Sequence, residues 1–390
     1  MGRQPDHQGG APMPNPYEVA VYYFPNYHID PRNEEWHGAG WTEWNLVKAA
    51  TPRFPGHQQP KIPLWGYQDE SDPRVAEQQI AAAADHGVTS FIYDWYWYDD
   101  QPFLQRALEE GFMQAANNDR LKFSLMWANH DWVNIFPLKR STDVTLLTKG
   151  PTPRESFDRA TDYVIEKYFS HPSYWRVDGK LYFSLYELGS LIKGLGGVEQ
   201  TREALLAFRE RVRQAGLGEL NLNAVVWGIQ ILPTESKIQD PKRLVEALGF
   251  DSVTSYVWIH HTPLDGYPTV SYPEYAKTSI DYWDVLQGEH SLPYYPNVSM
   301  GWDSTPRTTQ SDTHANVGYP YTPVLVDNTP EHFKEALRAV KDYLDRGHLT
   351  TPIVTVNSWN EWTEGSYLEP DTVNGLGYLE AIQAVFGVRK

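Results

Sequence analysis

Residues 72–93 read Asp72-Pro-Arg-Val-Ala-Glu-Gln-Gln-Ile-Ala-Ala-Ala-Ala-Asp-His-Gly-Val-Thr-Ser-Phe-Ile-Tyr93, and they hold the unit from which the fold is built. Asp72 is a residue type that caps helix N-termini, and Pro73 suits the first helical position because the N–H it lacks would have no partner there. The Ala-rich run through Gln79 and Ile80 propagates the helix, Gly87 stops it, and an apolar, aromatic stretch follows at once. Working outward, stretches of this strand type recur at residues 19–24, 88–93, 122–127, 181–185, 222–227, 251–255, 294–298 and 353–356. Helical patterns fall between them, at 200–215 ending on Gly216 and from Thr329-Pro330-Glu331 to Arg346-Gly347, and a last one at 377–386 follows the eighth. Strands alternating with helices call for a parallel sheet with crossover connections, and eight strands close a (β/α)8, or TIM, barrel. The expectation is one catalytic barrel over residues 17–390, preceded by a loose Gly- and Pro-containing tail at 1–16.

Composition narrows the function. The 390 residues carry 33 basic and 50 acidic side chains, a formal charge of −17 that repels phosphate backbones and anionic head groups, so neither nucleic acid nor a membrane surface is an expected partner. No window approaches the roughly 18–20 apolar residues of a membrane span. The first sixteen residues lack the apolar run of a secretory signal, which favours a cytoplasmic location. There is no cysteine, so disulfides and thiolate metal sites are impossible. Histidines at ligand spacing are missing too, and neither metal nor cofactor is expected. The chain has 15 Trp and 25 Tyr beside 14 Phe. Trp and Tyr each bring a polar atom that needs a partner when buried, so their excess suits a lined cleft better than a core. Sugars, with a flat C–H face and hydroxyl rims, fit such a cleft.

The aromatic and acidic clusters fall at strand C-termini, where barrel active sites are built. Tyr23 closes the first strand, and Glu43 and Trp44 lie in the long loop after it. Asp94, Trp95 and Tyr96 end the second strand. Trp127, Asn129 and His130 end the third. Trp227, Tyr256 and then Trp302, Asp303 and Arg307 follow the fifth, sixth and seventh, and the eighth runs into Asn360-Glu361-Trp362-Thr363-Glu364-Gly365. These form the expected substrate-binding set, with Asp303 and Arg307 equally readable as a structural ion pair. Cleaving a glycosidic bond needs a proton donor for the leaving oxygen and a second carboxylate to assist displacement. Glu361 and Glu364 are three apart, so a helical turn would put both on one face, where their repulsion raises one pKa toward the acid role.

The segments Tyr23-Phe-Pro-Asn-Tyr-His28, Gly38-Ala-Gly-Trp-Thr-Glu-Trp44, Phe54-Pro-Gly-His57, Trp127-Ala-Asn129, Gly301-Trp-Asp-Ser-Thr-Pro-Arg307 and Asn360-Glu-Trp-Thr-Glu-Gly365 together resemble the WbsX-type "glycosyltransferase" family. That family is similar in turn to the family 99 glycoside hydrolases, the endo-α-mannosidases and endo-α-mannanases. The resemblance runs from Val19 to Phe386. It implies a (β/α)8 barrel and retaining hydrolysis of an oligo- or polysaccharide. Glu361 would match the base that deprotonates the sugar's own 2-hydroxyl, and Glu364 the acid that protonates the leaving oxygen, with a 1,2-anhydro sugar between the two steps. One departure bears on substrate: the family typically reads Trp-Ala-Asn-Glu where this chain has His130. Two other readings stay open, a glycosyltransferase in polysaccharide assembly and a non-catalytic carbohydrate-binding barrel. Against the first stands the lack of a Gly-rich phosphate loop in an acidic chain; against the second, the presence of both glutamates.

Overall fold

The computed structural model describes residues 15–235 and 238–387. Residues 1–14 of the expected tail lie outside them, whereas Asn15 is tied down, its amide donating to the Phe386 carbonyl at 2.5 Å. The sheet is a nearly closed parallel barrel of nine strands: β1 (Glu18–Tyr23), β2 (Ser90–Tyr98), β3 (Lys122–Trp127), β4 (Lys180–Leu185), β5 (Leu220–Val225), β6 (Ser252–Thr254), β7 (Tyr294–Tyr295), β8 (Asn297–Ser299) and β9 (Ile353–Asn357). The hydrogen-bonded order is β7-β6-β5-β4-β3-β2-β1-β9-β8. All eight expected strands are present, but the seventh is split. Pro296, with no N–H to give, separates a half that pairs with β6 from a half that pairs with β9, and its carbonyl accepts from Thr355 N at 2.9 Å.

The quoted helix is α1 (Pro73–Asp85), capped by the Asp72 carboxylate on Arg74 N. Others that matter here are α2 (Arg154–Val164), α3 (Val198–Gln214), α4 (Pro330–Asp345, capped by Thr329) and α5 (Gly377–Phe386). No helix among the described residues is long and apolar enough to cross a membrane. Buried polar side chains stitch β4, β5 and β6 together, Ser184 to Asn223 and Asn223 to Ser252, each at 2.9 Å. Thr254 of β6 and Asn297 of β8 reach Thr355 of β9 at 3.2 and 3.1 Å.

Strand β2 runs five residues past the expected end. It turns through Asp99 and Asp100, both at positive φ, into an antiparallel pair with Gln101–Phe103. Every residue of β2 is buried, so its sequence Ser-Phe-Ile-Tyr-Asp-Trp-Tyr-Trp-Tyr does not reveal which side chains face the barrel mouth. Strand pleating decides: Asp94 and Tyr96 point one way, Trp95 and Trp97 the other.

Candidate active site

Beyond β9 the helical turn that the glutamate spacing suggested is a single short 3-10 turn set inside a hairpin. Asn360–Glu361 pairs antiparallel with Ser366–Tyr367, and a 3-10 turn at Trp362–Glu364 joins them. Ser358 holds the base of this hairpin, its hydroxyl accepting from Glu361 N at 3.0 Å and donating to the Ser366 carbonyl at 2.7 Å. Gly365 returns the chain at φ +63°, and a Cβ there would sit 2.6 Å from Asp303 Cβ. A Cβ on Gly301 would likewise meet the Gly365 carbonyl at 2.5 Å. The two glycines let the loop carrying Arg307 close onto the loop carrying both glutamates.

The consequence is a cation shared by three carboxylates. Arg307, 4% exposed, donates from Nε and Nη2 to Glu43 Oε1 at 3.0 and 2.8 Å, from Nη2 to Glu361 Oε2 at 3.2 Å and from Nη1 to Glu364 Oε1 at 2.6 Å. It also bonds the Tyr319 hydroxyl, and its guanidinium lies 5.4 Å from the ring centres of both Phe24 and Phe136. Glu43 is sealed behind it, its second oxygen accepting from Asn26 at 2.6 Å, so Glu43 anchors Arg307 rather than facing open space. Glu361 and Glu364 line a cavity at the C-terminal mouth of the barrel.

Burial raises both carboxyls. Glu361 goes well above the usual range because Glu364, Glu43 and Asp94 add repulsion that Arg307 only partly offsets. For Glu364 the charge of Arg307 and a 2.8 Å bond from Tyr319 favour the anion. Asp94 is raised well above its usual value by burial and by Glu364, against a 2.9 Å bond from Tyr256. The Tyr256 hydroxyl also lies 3.3 Å from Glu361 Oε1, and Asp94 Oδ1 has no hydrogen-bond partner.

Of the expected residues, Asp94, Tyr96, His130, Tyr256, Trp302, Arg307, Glu361 and Glu364 share this cavity. His130 is held by a 2.8 Å contact to the Asp131 carbonyl, and burial lowers its pKa. The others lie elsewhere. Tyr23 turns its hydroxyl to Glu70 and Gln79, at 3.1 and 3.0 Å. Trp95 donates to Tyr168, and Trp127 stacks on Phe157 of α2, which places both between the barrel and its helices. Trp44 donates to the Gln68 carbonyl and packs on Tyr27. Asn129 exchanges two bonds with the backbone of Glu187, and Asn360 does the same with Phe24. Trp227 backs Tyr186 and His260 without lining the cavity.

Asp303 is not the ion partner of Arg307. Its carboxylate takes bonds from His57 (2.7 Å) and Gln59 (2.8 Å), and although burial works against it, His57 holds it well below the usual range. Residues outside the expected set also line the cavity, among them Trp132, Phe136, Tyr186 and His260. Tyr186 stands just past the end of β4, where the rule that found the other residues would have found it.

The family model described as "Glycosyltransferase WbsX" matches residues 19–382. A protein of Xanthomonas campestris pv. campestris described as "Uncharacterized protein WxcX" is 27% identical over 379 residues, 94% of this chain and 49% of that protein. The chain thus spans about half the length of the curated relative it matches. Among solved structures, the GH99 endo-alpha-mannosidase from Bacteroides thetaiotaomicron superposes with a TM-score of 0.56 at 15% identity, covering 94% of this chain and 96% of that one. A "Glycoside hydrolase-like protein" gives 0.58 at 16%, over 100% and 98% of the two chains. At such identities the likeness is one of fold.

Proposed function

This chain belongs to the WbsX glycosyltransferase family, and we propose that it is a retaining glycoside hydrolase acting on an oligo- or polysaccharide. The observation that carries the reading is the pair of buried carboxyls, Glu361 and Glu364, facing one cavity across a shared guanidinium. Glu361 takes the proton of the sugar's 2-hydroxyl as that oxygen closes on the anomeric carbon. The glycosidic bond breaks, and the departing oxygen takes a proton from Glu364. A 1,2-anhydro sugar results. Water, deprotonated by Glu364, then opens it at the anomeric carbon, and the 2-oxygen recovers its proton from Glu361. Two displacements at one carbon retain its configuration. The Arg307 and Tyr319 bonds both end on Glu364 Oε1, so in this reading the acid proton is carried on Oε2.

The family's printed description names a transferase, but the cavity supports hydrolysis. A nucleotide-sugar diphosphate would have to sit beside Asp94, Asp131, Glu361 and Glu364, and Arg307, the one Lys or Arg among the lining residues, is already engaged by three glutamates.

The test is a panel of aryl α- and β-glycosides, followed by the 2-deoxy counterpart of whichever is cleaved. Aryl release with retention, and no cleavage of the 2-deoxy compound, is expected. Ready hydrolysis of the 2-deoxy compound, or a glycosyl ester trapped on either glutamate, would falsify the neighbouring-group scheme.

A further inference from the structure

Glu235 is a buried carboxylate that the chemistry above does not use, and its side chain is 0% exposed. It comes from the loop after β5, yet it contacts all three loops that form one side of the cavity. Oε1 accepts from the Tyr186 hydroxyl at 2.6 Å and lies 3.7 Å from His260 Nε2. Oε2 accepts from the backbone of Ile231 at 2.7 Å and of Leu232 at 3.0 Å. Tyr186 follows β4 and His260 belongs to the short turn Trp258–His260 after β6. All four partners line the cavity, but Glu235 itself does not.

The partners matter to the reaction centre. The Tyr186 ring lies 5.6 Å from that of Tyr256, whose hydroxyl touches Asp94 and Glu361. The start of the same loop is pinned separately, Gly228 and Ile229 donating to the His260 carbonyl at 2.9 and 2.8 Å. Without Glu235, two backbone N–H groups lose their acceptor, the Tyr186 hydroxyl keeps only a 3.4 Å contact with His260 Nε2, and Ile231 and Leu232 lose the bonds that hold their backbone.

We propose that Glu235 is a positioning residue, the clip that sets Tyr186, Ile231 and Leu232 as the wall against which the sugar is bound. This rests on the reading of the cavity as the glycoside site. Glu235 shapes affinity and orientation, whereas Glu361 and Glu364 move protons. An amide at this position keeps an oxygen for the two backbone donors and an N–H for the Tyr186 oxygen, so glutamine should preserve the clip and alanine should not.

The experiment uses the full chain and the aryl glycoside cleaved fastest in the panel, with Glu235→Ala, Glu235→Gln and Tyr186→Phe. Glu235→Ala should raise KM about ten-fold or more with kcat within about three-fold, and Glu235→Gln should stay within about three-fold of the unaltered KM. Hydrogen exchange at the Ile231 and Leu232 amides, read without any substrate, should quicken in the alanine variant alone. Should Glu235→Ala fail to fold, Tyr186→Phe, which removes one bond, carries the KM test with a smaller rise. Unchanged KM in the alanine variant, loss of kcat with KM unchanged, or equal loss in the alanine and glutamine variants would overturn the proposal. Full turnover by Glu361→Gln would instead remove the reading of the cavity. Dead Glu361→Gln beside a normal Glu235→Ala removes this inference alone.

Discussion

Two buried carboxylate pairs lie near the barrel mouth. Inside it, Glu361 and Glu364 share Arg307 and face the cavity. Outside it, toward α1, Glu70 and Glu369 are equally buried and line a smaller pocket. Each oxygen of the outer pair accepts at least one bond of 3.3 Å or shorter. Glu70 accepts from Tyr27 N, His28, Tyr23 and Asn360, and Glu369 accepts from Gln79, Trp359 and Trp362. In the inner pair Glu361 has only contacts of 3.2 and 3.3 Å, both donors to Glu364 use the same oxygen, and the neighbouring Asp94 keeps Oδ1 unpaired. Burial does not mark a catalytic carboxylate. What separates the pairs is that the unpaired Asp94 Oδ1 and the long Glu361 contacts lie at the inner cavity, where a substrate could supply a partner.

The largest effect that could break this contrast is on the cation. Arg307→Ala would leave Glu43, Glu361 and Glu364 buried without it, a loss of about 3–5 kcal/mol in folding stability that urea denaturation would read. Retained stability would mean that the inner acids are neutral and the pairing incidental. Trp127 belongs to the outer side, so Trp127→Ala should cost about 3–5 kcal/mol of stability. Its KM should hardly move. A KM rise with the melting temperature intact would return Trp127 to the sugar.

A pH measurement sharpens the outer side. Burial, with Glu70 adding repulsion, lifts Glu369 to about 7 against its ordinary 4.5, even with Trp362, Gln79 and Trp359 donating to it. A raised folded pKa contributes stability in full below the unfolded value, and that stability is lost as pH rises toward 7. Relative to Glu369→Gln, the unaltered protein should therefore lose about 3 kcal/mol between pH 4.5 and 7. Parallel stability curves for the two proteins would contradict it.

The smallest effect is on the inner side. Tyr319→Phe removes a donor that favours ionised Glu364, so the alkaline limb of the kcat profile should move up. A downward move would assign the acid role elsewhere.

Much of this was legible in the chain itself. Barrel strands buried on both faces read as apolar runs, so all eight fell within a few residues of their places. The same double burial hid the pleat. In Phe91-Ile-Tyr-Asp94-Trp95-Tyr96-Trp97 every second residue faces the helices, and aromatic content cannot say which, so Trp95, Trp127 and Tyr23 were grouped with Asp94 and Tyr96. Contacts that span the chain were equally hidden: Arg307 meets Glu43 across 264 positions and His57 meets Asp303 across 246. Glu235 bears no local mark at all. Only its placement behind three loops distinguishes it.

The central claim is that Glu361 and Glu364 do different work on one bond. Glu361→Gln and Glu364→Gln should each lower kcat on an alkyl glycoside by about 10²–10⁴-fold while the fold is kept. Leaving-group dependence then separates them. On a glycoside with an acidic phenol as leaving group, which needs little protonation, Glu364→Gln should recover most of its rate, and Glu361→Gln, unable to take the 2-hydroxyl proton, should not. Equal recovery by both variants, or recovery by Glu361→Gln alone, would contradict the account.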